Sequence, residues 1–158
     1  MRFWFDTEFH ENGITIDLIS IGVVCEDGSE FYAEVNDFDF SNTDPWLIEN
    51  VKPYLTGETM DREEMAKSLL QFVMSKTDKP NFWAYYADYD WVVLCRLYGR
   101  MIDLPETFPM YCNDLKQELV RLGVDRVPVE NKTEHNALAD ARWARDVHLW
   151  LERNYNND

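Results

Sequence analysis

Met1-Arg2-Phe3-Trp4-Phe5-Asp6-Thr7-Glu8 is the stretch that decides the fold, an apolar opening that runs directly into two acids. Its apolar and aromatic content reads as a first strand with Asp6 and Glu8 at its end. Strand side chains alternate between faces, so Asp6 and Glu8 point the same way and offer hard oxygen donors to one divalent cation. Two carboxylates that close repel each other if buried with nothing positive between them. A lone Asp-x-Glu is also what the polar cap of an edge strand looks like, so the reading turns on other acids along the chain.

Outward from that strand, Leu18 to Cys25 is an apolar run broken only by Ser20 and Gly22, as expected of a central strand. Glu26-Asp27-Gly28-Ser29 is a turn and Glu30 to Val35 a third strand, so strands one to three form an antiparallel meander. Met65, Leu69, Phe72 and Val73 recur at helical spacing within Asp61 to Ser75. A buried strand over Asn81 to Tyr86 follows Pro80, with helices over Tyr89 to Tyr98, Cys112 to Leu122 and Ala137 to Arg153. This order is mixed α/β. One domain spans residues 1–153, residues 154–158 form a flexible tail, and Asn36 to Lys79 carries no recognisable motif.

Two further segments supply the acids that the first one needs. Asp90 shares a helical stripe with Val93, Leu94 and Leu97, which tucks its carboxylate against the sheet, where it needs a partner such as a metal. Asp88, two residues earlier, suits the helix N-cap better. In His135-Asn136-Ala137-Leu138-Ala139-Asp140, Asn136 reads as the N-cap of a final helix whose buried face is Ala137, Ala141, Ala144, Val147 and Leu151. At ~100° per residue, His135 and Asp140 lie roughly 140° apart on one helix, so His135 belongs to the loop and Asp140 to the first turns. His10 and His148 have no such acid framework and read as structural.

Composition bounds the rest. A chain of 158 residues with 46% apolar content can bury one substantial core. No secretory leader or transmembrane run is read from the sequence, and three scattered cysteines, Cys25, Cys95 and Cys112, read as reduced, buried thiols of a cytoplasmic protein. A formal charge of −15 opposes long, tight, nonspecific clinging to phosphates. It permits an enzyme that handles only a chain end and draws local positive charge from bound ions. Arg96, Arg100, Lys116, Arg121, Arg126 and Lys132 concentrate the basic residues in the C-terminal half.

Asp-x-Glu, a middle Asp and His-x4-Asp, in this order, resemble the motifs of the DEDDh 3′-to-5′ exonuclease superfamily. The wording of Phe5 to Phe9, Ile16 to Val24 and Tyr89 to Cys95 is similar to that of RNase AS, small exoribonucleases that trim adenylate-rich RNA. The resemblance implies an RNase H-like mixed sheet, with the meander of strands one to three joined by parallel strands and flanked by helices. It also implies a homodimer acting on single-stranded RNA 3′ ends to release nucleoside 5′-monophosphates. Asp6, Glu8, Asp90 and Asp140 would be the four acids holding two Mg2+ or Mn2+ ions, Asp6 bridging them, with His135 as general base. Oxygen-only ligands favour these ions over zinc. Thr7, Phe9 and Tyr89 are the substrate candidates; Phe9 divides between base stacking and core packing. A proofreading-type DNA exonuclease shares every acid, and a noncatalytic nucleic-acid-binding module on the same fold is the rival of another class.

Overall fold

The computed structural model describes residues 1–131 and 135–155. Its centre is a six-stranded sheet of order β4-β3-β2-β1-β5-β6, made of β1 (Arg2–Glu11), β2 (Ile16–Cys25), β3 (Glu30–Val35), β4 (Thr59–Met60), β5 (Asn81–Ala84) and β6 (Asn113–Asp114). β1, β2 and β3 form the antiparallel meander, while β5 runs parallel to β1 and β6 parallel to β5. Alternation along β1 divides the core between the two faces of the sheet. Phe3 and Phe5 pack with α2 (Arg62–Met74) and α3 (Ala87–Tyr98) through Met65, Leu69, Trp91 and Leu94. Trp4 packs with α4 (Leu115–Arg121) and α5 (Ala137–Tyr155) through Leu115, Leu119, Val147 and Leu151.

Several boundaries differ from those expected. β1 does not stop at the acids: β2 supplies ladder partners as far as Ile16, so the strand continues to Glu11, with a register shift between Glu8 and Phe9. β5 ends at Ala84 because Tyr86 turns left-handed, at φ 56°, ahead of α3. That residue occupies the N-cap position without a side-chain cap, so Asp88 lies inside the first turn and does not cap the helix. The helix expected from Cys112 is shorter, because Asn113 and Asp114 pair with β5 before Asp114 caps α4 through the Lys116 amide at 2.8 Å. The quiet middle segment holds α1 (Pro45–Asn50) and β4. α5 runs on through Asn154 and Tyr155, which were expected in a flexible tail; the remainder of that tail, 156–158, lies outside the described residues.

Candidate active site

Asp6 and Glu8 leave the same face of β1, as alternation requires, and that face meets the first turns of α5. Carboxylate oxygens of Asp6, Glu8 and Asp140 lie within 4.8 Å of one another. Asp140 gets there because α5 sits unusually close to the sheet. Gly22, opposite Asp6 on β2, meets the helix backbone so tightly that an added Cβ would lie 2.3 Å from Leu138 Cα. Asn136 caps the helix by accepting from the Ala139 amide at 3.0 Å. Asp140 in turn accepts from the His135 amide at 2.9 Å and from the Asn131 side chain.

Asp90 stands outside that three-acid group, at the head of α3, and is buried as its stripe required. Thr7 points to the opposite face of β1 from the acids beside it. Its amide and hydroxyl both donate to Asp90 Oδ1, at 2.8 and 2.6 Å. One short segment, Asp6-Thr7-Glu8, therefore presents two acids and anchors a third. Thr7 itself is buried and its hydroxyl is engaged with Asp90.

Electrostatics make this a site that wants positive charge. Burial pushes the Asp6 carboxyl well above the usual carboxylate range, and Asp90, Glu8 and Asp140 add repulsion. Burial, then Asp140 and Asp90, push Glu8 up to about 8. Burial raises Asp90 to about 6, although the Thr7 hydrogen bonds pull it back. Asp6, Glu8 and Asp90, whose ionisation is suppressed by burial and by neighbouring acids, fit a divalent cation, whose charge offsets the repulsion, and an all-oxygen donor set fits a hard one.

A cleft of about 300 Å³ opens over the acids, lined by Asp6, Tyr85, Asn131, His135, Asp140 and Trp143. His135 lies on the loop before α5, as expected, in a left-handed conformation at φ 69°. Its ring meets the Trp46 ring edge-on at 4.7 Å. Beyond Glu8, Phe9 and Tyr89 stack on each other at 6.0 Å and 10°, with Tyr89 largely exposed. His148 accepts from the Trp4 indole at 3.0 Å in the core, and Arg100 and Arg121 pair with Asp103 and Glu118. Lys132 lies outside the described residues.

Sequence reasoning missed Gly22, Asn131, Tyr85, Trp143 and Trp46 as parts of this site. Only Gly22 left a local signal, as a break in the apolar run of β2.

Residues 1–150 match the model of the Rv2179c-like 3′-5′ exoribonuclease domain. The chain belongs to this family. It is 40% identical over 147 residues to the 3′-5′ exoribonuclease Rv2179c of Mycobacterium tuberculosis strain H37Rv, covering 90% of this chain and 88% of the relative. The counterpart from strain CDC 1551, MT2234.1, matches equally well. In fold, the family member described here superimposes on S. pombe Pop2p in its Mg2+- and Mn2+-bound form. The TM-score is 0.72 at 13% identity, over 99% of this chain and 84% of that one. E. coli ExoI, in a zinc-bound complex with single-stranded DNA, gives 0.69 at 10% identity, over 99% of this chain and 41% of that one. The mixed sheet and its flanking helices are thus the RNase H-like fold of DEDD-type exonucleases, and the resemblance read from the motifs holds across nearly the whole chain.

Proposed function

We propose that this protein hydrolyses the terminal phosphodiester of single-stranded, adenylate-rich RNA from the 3′ end, releasing nucleoside 5′-monophosphates. The observation that carries the reading is the convergence of Asp6, Glu8 and Asp140 oxygens within 4.8 Å, with Asp90 buried behind them. Asp6, Glu8 and Asp140 would hold one Mg2+ or Mn2+ ion, and Asp90 would contribute with Asp6 to a second. When bound, such ions lower the pKa of the attacking water and stabilise the leaving 3′ oxygen. His135, over the same cleft, accepts the water's proton, a task that suits imidazole near neutral pH. Thr7 keeps Asp90 oriented, and the stacked pair of Phe9 and Tyr89 offers an aromatic face to a terminal base. The reading takes the chain as a homodimer, the state that the motif resemblance implies; a monomeric sedimentation mass would remove that part of it.

The test is degradation of matched oligoadenylate, oligouridylate and DNA oligomers, labelled at either end, with Mg2+ and with chelator. A 3′ label should leave as mononucleotide at once, while a 5′ label should pass down a ladder. Oligoadenylate should be consumed fastest, and Asp6→Asn should abolish turnover. A 5′ label lost first, internal cuts, or full activity of Asp6→Asn would overturn the assignment.

A further inference from the structure

We infer that Trp46 is a positioning residue for His135, holding the imidazole in the orientation from which it takes a proton. This rests on the role proposed for His135. The histidine is held at both its main chain and its ring. Its main chain is fixed, since its amide donates to Asp140 Oδ2 at 2.9 Å. Its ring lies edge-on to that of Trp46, with centroids 4.7 Å apart and planes at 79°. Aromatic rings favour that arrangement because the positive edge of one meets the negative face of the other.

Trp46 is mounted for the task. Asp44 caps α1 by accepting from the Trp46 amide at 2.8 Å, and Pro45 starts the helix. The next residue, Leu47, buries itself against Ile19 of β2, which ties the short helix to the sheet. The histidine's own loop is fastened to the same region, because the Asn136 side chain donates to the Tyr54 carbonyl at 3.0 Å. Trp46 itself remains 48% exposed, more than a core tryptophan would be. Its indole therefore stands on a capped, anchored helix against the imidazole ring, and removing it takes away a contact that holds that ring in its orientation.

A double-mutant cycle under single-turnover conditions tests this on a Mg2+-loaded protein and short oligoadenylate. Trp46→Ala should slow hydrolysis by ~10-fold with KM little changed, since misplacing a base costs rate and leaves binding intact. Trp46→Phe should keep most of the wild-type rate, because a smaller ring still presents a face. In a His135→Ala background, Trp46→Ala should cost nothing further. Additive losses in the double mutant, or a raised KM at unchanged kcat, would show that Trp46 acts on RNA directly and overturn the inference. A wild-type rate for Trp46→Ala would do the same. If His135→Ala alone retains the full rate, the proposed base is wrong, a failure distinct from additivity. Thermal melting of Trp46→Phe and Trp46→Ala separates misfolding from these outcomes.

Discussion

Replacing Gly22 by alanine tests the architecture of the site without touching a single acid. The added Cβ would lie 2.3 Å from both Leu138 Cα and Leu138 N, and 2.4 Å from Ala137 C, all backbone atoms of α5. Ordinary contact begins near 3.4 Å, so helix and strand must part by roughly 1 Å, with no flexible side chain to absorb the change. Overpacking of this kind costs about 1–3 kcal/mol. The larger consequence is functional, because Asp140 sits two residues beyond Leu138 and moves with the helix. A 1 Å misplacement can cost ~10²-fold in rate, and the three-acid group would bind its cation more weakly. Calorimetric titration with Mn2+, a single-turnover rate on oligoadenylate and a thermal melt measure the three effects on one preparation. Wild-type metal affinity and rate in a folded Gly22→Ala protein would refute the reasoning, since α5 would then tolerate the methyl without moving Asp140.

Metal-free protein should lose stability as pH rises. The Glu8 pKa is about 8 in the folded state against an ordinary 4.5, so its contribution is full below 4.5 and lost as pH climbs through 8. Melting midpoints in chelator should therefore fall from pH 5 to 9, and Mg2+ should blunt the fall; a flat profile in chelator would contradict the burial of these acids. Thr7→Val removes a hydroxyl that donates to Asp90, so in metal-free protein the Asp90 carboxyl should be harder to ionise, and calorimetric titration with Mn2+ should need a higher pH to reach the wild-type affinity. Asp90→Ala should lower the rate by orders of magnitude. Asp88→Ala should change stability by less than about 1 kcal/mol and leave the rate intact, because Asp88 does not cap its helix.

What could be read from the sequence was whatever a local period encodes. The two-residue alternation put Asp6 and Glu8 on one face, and the helical stripe buried Asp90 at the head of α3. Small residues at helical spacing marked the face by which α5 meets the sheet, and Ala137, Ala141 and Ala144 are indeed buried. Asp88 misled because helix capping depends on the turn before the helix. Here that turn is made by Tyr86, left-handed and with its amide donating to Asp114 at 3.2 Å, a partner 28 residues away. Trp46 and Gly22 stayed unread for the same reason, since each acts on a segment about ninety residues or more downstream.

The buried charge has the opposite character, legible in kind though not in extent. Acids spaced to share a face announce mutual repulsion, but only the fold shows that Asp6, Glu8 and Asp90 all resist ionisation. An arrangement so unfavourable by itself persists because the surrounding core is large and its apolar packing holds α5 down close over Gly22. Stability and function are therefore set against each other at one place. The contact that packs the helix is the contact that brings the carboxylates together, and a cation that relieves their repulsion should bind tightly for that reason.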